Sequence, residues 1–204
     1  MSYRDYQAVR DAAWQILLDC EVNRLPVNLS AVCRRLKILV LSYGKNMDLI
    51  ERVNLGRLVG HTDGMTFYAK DMPVIFFDEQ KPLPRVRFTV AHEVGHIILG
   101  HVQPGGVTTA NREPSPGVSP EEQAANRFAA RLLAPACVLW GLDVHTAEDI
   151  MDLCQISRAS AEFRAQRMAE LYRRDKFMTS ALERQVYRQF QPFIMEFHHS
   201  RRGG

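Results

Sequence analysis

The sequence predicts an α+β protein that is mainly helical, with a small mixed or antiparallel sheet packed on one central helix and a helical C-terminal part. Apolar residues recur at helical spacing near both ends of the chain. Short runs of β-forming residues, separated by glycines, lie between residues 38 and 77. A longer apolar stretch, residues 85–99, has the length of a buried helix. The 204 residues are 46% hydrophobic and 24% charged, which is ordinary for a globular protein, and the net charge of +3 indicates no particular partner.

The first half of the chain supplies two helices and the strands. A periodic apolar pattern predicts a first helix that ends before Pro26, because proline cannot donate the helical hydrogen bond and clashes with the preceding turn. The predicted elements of this half are a helix over Tyr6–Val22, a short helix over Leu29–Leu36 capped by Asn28 or Ser30, a strand over Ile38–Ser42, and strand candidates over Arg57–His61, Met65–Ala69 and Val74–Phe77, with a turn at residues 62–64 between the first two candidates.

The second half is predicted to be helical apart from one loop. Two prolines precede the central helix and Gly100 ends it, whereas Ser119 is a typical helix cap before Pro120. The glycines and prolines of residues 103–120 predict a loop. The predicted helices are Arg85–Leu99, Pro120–Leu133, Ser157–Arg174 and Thr179–Phe193, and the tail His198–Gly204 is predicted to be disordered.

The central helix carries the motif H-E-x-x-H, as His92-Glu93-Val94-Gly95-His96. Residues four apart lie on one face of a helix, so both imidazoles can reach one metal ion at the roughly 2.0–2.1 Å of a Zn–N bond. Glu93 is placed to accept a proton from an attacking water. Two histidines and a glutamate inside an apolar helix are costly unless they have partners. The motif therefore predicts a zinc-dependent hydrolase, with Gly95 allowing another backbone or a substrate to approach closely.

A catalytic zinc site needs a third protein ligand. The extension that adds a third histidine fails here, because the required glycine and histidine positions hold Leu99 and Val102. His101 is about 140° around the helix from His96, so it is predicted to contact the carbonyls at the helix end instead.

The downstream pattern E-x-x-x-N supplies the alternative, with Glu122 and Asn126 one helical turn apart. Glu122 is predicted to be the third ligand and Asn126 to hydrogen-bond to a ligand histidine, which orients the imidazole. Glu121 competes with Glu122 because it is adjacent. A plain helix-stabilising role for both acids in the first turn is the remaining alternative.

These two motifs resemble the ImmA/IrrE family of metallopeptidases. The resemblance rests on residues 87–99 with His101 and on Glu122 followed by residues 125–135, and it covers roughly Leu29–Arg167. It implies a zincin-like domain, one Zn²⁺ per chain bound by His92, His96 and Glu122, and Glu93 as the general base. Members of the family are bacterial and cytoplasmic, and characterised members cleave helix-turn-helix repressors.

The predicted function is accordingly a cytoplasmic zinc endopeptidase that cleaves a helix-turn-helix transcriptional repressor, an anti-repressor role in phage, mobile-element or stress-response regulation. Two alternatives stay open: a non-catalytic, zinc-stabilised module that binds a repressor, and a toxin–antitoxin component. Mn or Fe is also compatible with a His₂Glu site. Residues 1–140 are predicted to form the metallopeptidase domain and residues 141–204 a helical region that packs on it or stands apart.

The remaining composition bears on compartment and partners. The charged N-terminus argues against a secretion signal. The sequence lacks a run of about 20 apolar residues, so no membrane span is expected. The four scattered cysteines are expected to be reduced. From residue 158 onward ten basic residues face five acidic ones. A solvated helical face is favoured for this excess, with nucleic-acid binding and recognition of an acidic partner as alternatives.

Three further hypotheses concern the substrate. Val74–Phe77 is either an edge strand on which a peptide adds or a plain core strand, and the loop over residues 103–120 either gates the cleft or only connects two helices. His145, Tyr68 and Tyr172 are conceivable donors to the oxyanion of the transition state, but none is assigned to the site.

Overall fold

The computed structural model describes residues 3–102, 107–110 and 119–202. Within these residues the chain forms nine α-helices, a 3₁₀ turn at Gly56–Leu58 and four strands. The helices are α1 Tyr3–Asp19, α2 Leu29–Arg35, α3 Met47–Arg52, α4 Leu83–Ile98, α5 Pro120–Leu133, α6 Ala136–Gly141, α7 Ala147–Cys154, α8 Arg158–Arg173 and α9 Ala181–Arg202. The strands are β1 Leu39–Ser42, β2 Gly64–Ala69, β3 Met72–Phe77 and β4 Val107–Ala110. The predicted α+β, mainly helical class is confirmed.

The four described strands form one mixed sheet in the order β1-β3-β2-β4. β1 pairs with β3 in parallel, while β2 is antiparallel to both β3 and β4. The β2–β3 hairpin brings Thr66 opposite Ile75, and Thr66, Ile75 and Phe76 are fully buried. A strand buried among neighbours on both sides belongs in the middle of a sheet. Of the two hypotheses for Val74–Phe77, the plain core strand is therefore confirmed and the sheet edge is wrong.

Two arginines of α4 fix that helix against the rest of the molecule. Arg85 donates two hydrogen bonds to the buried Asp63 carboxylate, from Nε at 2.5 Å and from Nη2 at 2.9 Å. Such a bidentate pair sets both position and orientation. Two residues later in the same helix, Arg87 donates to the carbonyl oxygens of Val27 at 3.0 Å and of Cys154 at 3.3 Å. The helix that carries the H-E-x-x-H motif is thereby attached to the sheet and to the helical part of the fold.

One large hydrophobic core runs through the helical part and includes residues from both ends of the chain. Leu17 of α1 and Phe190 of α9 are both fully buried in it. The Gln189 side chain of α9 also donates to the carbonyl oxygens of Leu17 at 2.8 Å and Val22 at 2.7 Å. These hydrogen bonds attach α9 to the C-terminal end of α1. The division into residues 1–140 and 141–204 stays a prediction, with this shared core as the feature that any separation would have to open.

Three local predictions are wrong. Arg57–His61 is not a strand, because the chain makes the 3₁₀ turn at Gly56–Leu58. The predicted loop over residues 103–120 contains strand β4, since Val-Thr-Thr-Ala is a β-forming run and β2 offers it a pairing partner. The predicted disordered tail is helical from His198 to Arg202, because α9 continues through these residues. The imidazole of His198 lies 2.8 Å from the carbonyl oxygen of Gly141.

The four cysteines, all within the described residues, are free thiols. No described helix combines the length and the apolar character that crossing a bilayer requires.

Candidate metal centre

Helix α4 places the two histidines of the motif on one buried face. His92 and His96 are 4% and 2% exposed, and their Nε2 atoms lie 2.9 Å apart. Two imidazole nitrogens that face each other across this distance leave room for a shared proton or a shared cation, but not for two N–H groups. The spacing of four residues along the helix thus gives the geometry that it predicts.

Helix α5 brings the third group. Its first turn is set by Ser119, whose hydroxyl accepts from the backbone N–H of Glu122 at 3.2 Å. The Glu122 carboxylate then reaches both imidazoles, with Oε1 at 3.0 Å from His96 Nε2 and Oε2 at 3.3 Å from His92 Nε2. Glu121, the competing acid, points to solvent. The geometry favours Glu122 over Glu121 as the carboxylate of the cluster.

These three residues could hold one metal ion. Their ligand atoms all lie within 4.8 Å of one another. For tetrahedral zinc with bonds of 2.0–2.1 Å, neighbouring ligand atoms are about 3.3 Å apart, close to the 2.9–3.3 Å found between the nearest pairs. A His₂Glu donor set with a partly open side is also the set that catalytic zinc sites use. The residues therefore fit a zinc ion, and the identity of the metal stays a prediction.

The Glu122 carboxylate is stabilised in its charged form. Burial by itself raises the pKa of Glu122, but the hydrogen bonds and charges of His92 and His96 outweigh it and lower this pKa to about 2. Glu122 is thus ionised at every pH at which the protein is expected to work, which a metal ligand has to be.

Each histidine also has a polar partner on the side away from the cluster. Asn126 Oδ1 lies 3.0 Å from His92 Nδ1, so an N–H on Nδ1 leaves the Nε2 lone pair free to bind a cation. Asn126 therefore makes the contact that its spacing from Glu122 predicts, although its supporting role stays a prediction.

His101 holds the corresponding place beside His96. Its Nδ1 lies 3.1 Å from His96 Nδ1. The prediction that the His101 side chain contacts the helix-end carbonyls is wrong, because Gly100 has a positive φ of 72° and turns the chain so that His101 folds back over its own helix. Burial, followed by the charge of His96, lowers the pKa of His101.

Glu93 points in a different direction from the histidines, toward the sheet. It is fully buried, and its Oε2 accepts a hydrogen bond of 2.5 Å from the hydroxyl of Thr66 on β2. Thr66 is itself fully buried. No sequence motif indicates Thr66, since it is one of many threonines in strands, and only the packing of β2 on α4 makes it a partner of the candidate base.

Gly95 is explained by the contact between α4 and α5. A side-chain carbon there would lie 3.1 Å from Phe128 Cδ1 and 3.3 Å from Ala125 Cα. The glycine therefore lets the backbone of α5 come close enough for Glu122 to reach the histidines. Gly95 thus permits the close approach of the Phe128 side chain and of the Ala125 backbone.

None of the three conceivable oxyanion donors has a described contact with the metal centre. His145 stacks on Tyr172 with ring centroids 4.5 Å apart, and its Nε2 lies 2.9 Å from Asp143 Oδ1. Tyr68 lies on β2, half-buried, opposite Pro73. The gating hypothesis concerns residues that fall largely outside the described part of the chain.

The sequence matches a known family over the region that builds this centre. The family model for the IrrE N-terminal-like domain, Peptidase_M78, matches residues 49–173. The chain belongs to this family. The matched residues span β2, β3 and the helices α4 and α5, so the family's region contains every residue of the candidate metal centre. No curated protein matches the chain. This is a family of metallopeptidases, and their metal-dependent chemistry is consistent with the His-His-Glu cluster.

Proposed function

We propose that the protein is a zinc-dependent endopeptidase whose substrate is a helix-turn-helix transcriptional repressor. One observation carries the enzymatic part: the three ligand atoms of His92, His96 and Glu122 converge at 2.9–3.3 Å in a member of a metallopeptidase family, with Glu93 next to the first ligand. The repressor as substrate, and a cytoplasmic site of action, rest on the resemblance of the motifs to the ImmA/IrrE family.

In this proposal each residue has one task. His92, His96 and Glu122 hold the ion, and Asn126 and His101 keep the two imidazoles in the tautomer that leaves Nε2 free. A bound zinc ion supplies Lewis acidity, lowering the pKa of water toward ~7 and polarising the scissile carbonyl. Glu93 accepts the proton of the attacking water and returns it to the leaving amine, and Thr66 holds that carboxylate in place.

The substrate backbone is proposed to add to the sheet at β4. Among the described residues β4 has a strand on one side only, and it contacts α4. An edge strand next to the catalytic helix offers backbone hydrogen bonds to an extended peptide. This replaces Val74–Phe77, which is interior, as the candidate edge.

The test is cleavage of a helix-turn-helix repressor, taken from the neighbouring gene where that gene encodes one. We expect one cut that depends on zinc and stops with a chelator. The variant E93Q should lose at least about a hundredfold in cleavage rate, the lower end of general-base contributions, while it binds zinc as the wild type does. Cleavage by E93Q at the wild-type rate would contradict the mechanism. Binding of the neighbour by wild type and E93Q without any cut would favour the non-catalytic binding module instead.

A further inference from the structure

A wide groove lies between α1, α5 and α8, beside the metal centre. Its volume is about 910 Å³. Apolar side chains form much of the lining, among them Leu133, Ile156 and Phe163. Phe163 is 71% exposed, unusual for a phenylalanine, and lies at the groove on α8. The groove thus has the apolar lining typical of a binding site.

The charged residues that line this groove are strongly biased toward one sign. Glu170 is the single carboxylate among the residues that line the groove. Four arginines line it: Arg127, Arg131, Arg164 and Arg167. We call these four residues the arginine cluster. Like charges in a common groove repel one another, and such a cluster attracts a ligand of opposite charge.

Tyr6 of α1 forms the centre of the cluster. The guanidinium of Arg131 lies 4.4 Å from the centroid of the Tyr6 ring and that of Arg127 lies 5.9 Å from it. Arg167 Nη2 donates to the Tyr6 hydroxyl at 3.3 Å. An aromatic face and a hydroxyl hold the cations in position without neutralising them.

Burial and the neighbouring charges shift the pKa values of these groups. Burial raises the pKa of Tyr6, but the charges of Arg131 and Arg167 outweigh it, so this pKa is lowered. Burial, followed by the charge of Arg131, lowers the pKa of Arg164 to about 10. The Nε of Arg164 is also buried without a hydrogen-bond partner in the described part of the chain. Arg167 is ion-paired with Glu170, so the residues that line the groove carry four cations and one carboxylate, an excess of positive charge.

The groove reaches the metal centre through two side chains. Asn126, which contacts His92, lines it, and so does Phe88, whose ring centroid is 6.4 Å from that of His92. A chain bound in the groove would therefore extend directly beside the ligand His92.

We propose that this groove binds an acidic, partly apolar segment of the substrate polypeptide and so selects the substrate by a sequence away from the cut. The arginine cluster pairs with the carboxylates, and the apolar lining around Phe163 accepts a neighbouring aromatic or aliphatic side chain. That the occupant belongs to a substrate rests on the proposed function. The apolar lining favours a peptide over a nucleic acid, whose phosphates are mostly met by exposed polar side chains.

The experiment measures binding rather than cleavage. E93Q, stripped of metal by a chelator, is titrated into a fluorescein-labelled, glutamate-rich peptide carrying one phenylalanine, and into a twin in which glutamine replaces every glutamate. We expect the acidic peptide to bind at least about tenfold more tightly at low salt, with the difference shrinking as salt rises. Binding at this site does not depend on metal or on Glu93, so it can succeed where the peptidase proposal fails, and the reverse.

Variants locate the binding. R127Q/R167Q should weaken binding of the acidic peptide by about tenfold, which is about 1.4 kcal/mol. The matched control, R173Q/R174Q, removes the same charge from two exposed positions at the end of α8 and should change the affinity less than about twofold. The exposed Phe163 gives a second test that does not disturb the cluster, because F163S should weaken the acidic peptide severalfold.

Two results would overturn the proposal. One is equal affinity for the acidic peptide and its glutamine twin, or equal losses in the groove variant and in the control. The other is a duplex or single-stranded oligonucleotide that displaces the peptide at lower concentration than the unlabelled peptide does, and loses affinity in R127Q/R167Q. That outcome would assign the groove to nucleic acid.

Discussion

The metal centre and the arginine groove share helix α5, yet their charged groups are arranged in opposite ways. At the centre, Glu122 lies within 3.3 Å of two imidazoles, and a second polar residue holds each imidazole from behind. In the groove, guanidinium groups surround one tyrosine ring. The first arrangement is complementary in charge and suits a small cation. The second has an excess of one charge and is suited to a larger, acidic partner.

The two sites also differ in the length of chain that builds them. Four of the five groups around the metal centre come from two segments with helical spacing, residues 92–96 and 122–126, and His101 is the fifth. The groove joins Tyr6 to Arg167, which are 161 residues apart. A local motif can be recognised from spacing alone, whereas a groove of this kind exists only after α1, α5 and α8 have come together in the fold.

The largest effect that separates the two regions is expected at high pH, in the core behind Arg164. Burial raises the pKa of the Cys137 and Cys154 thiols to about 12 from an ordinary value of 9.0. A raised pKa means that the folded state keeps its proton, so the stabilisation is complete below pH 9 and is lost as the pH rises through about 12. The free energy of unfolding should fall by about 1.4 kcal/mol per pH unit per thiol over that window.

Urea titrations between pH 8 and 11 check this expectation. C154A should be less stable than the wild type at pH 8 but should lose less stability per pH unit above pH 9. C20A is the matched control, because Cys20 is only half-buried and its removal should leave the slope nearly unchanged. Identical slopes in wild type and C154A would show that the buried thiol does not set the alkaline limit.

Removing the support behind a histidine should weaken the metal centre without touching a ligand. In N126A the His92 ring loses its hydrogen-bond partner at Nδ1, so zinc affinity should fall about 10–100-fold. Competition with a chromophoric chelator measures it. Q123A serves as the comparison, because Gln123 lies three residues earlier on α5 and also lines the groove. This variant should bind zinc within about twofold of the wild type. An unchanged affinity in N126A would remove Asn126 from the account of the site.

The smallest of these effects concerns Thr66. T66V keeps the shape of the side chain but deletes the hydrogen bond to Glu93, so the cleavage rate should fall about tenfold, or roughly 1.4 kcal/mol. The loss should fall on kcat rather than KM, and zinc affinity should stay as in the wild type. T62V is the control, since Thr62 bonds Tyr43 in the same region of the sheet and not Glu93. A larger loss in T62V than in T66V would mean that general destabilisation, and not the position of Glu93, explains the effect.

Sequence reasoning reached most of the helices because their signals are local. Ser119 and Ser157 cap their helices through their own hydroxyls, as their position before an apolar run indicates. The errors occur where a neighbour decides. Residues 57–61 have strand-like composition, but none of the four described strands pairs with them. Val107–Ala110 lies in a glycine- and proline-rich stretch and becomes a strand because β2 pairs with it.

The sequence by itself determined the chemistry of this protein: two imidazoles and a carboxylate on one helix, an acid and an amide one turn apart on another, and the family in which that pair of motifs occurs. These are properties of helical spacing, which a few consecutive residues contain. The tertiary structure decided which acid faces the histidines, that His101 turns back onto His96, that Thr66 meets Glu93, and that arginines from two helices gather around Tyr6. Such contacts depend on how helices and strands distant in sequence pack, because side chains meet only where a shared core brings their backbones together.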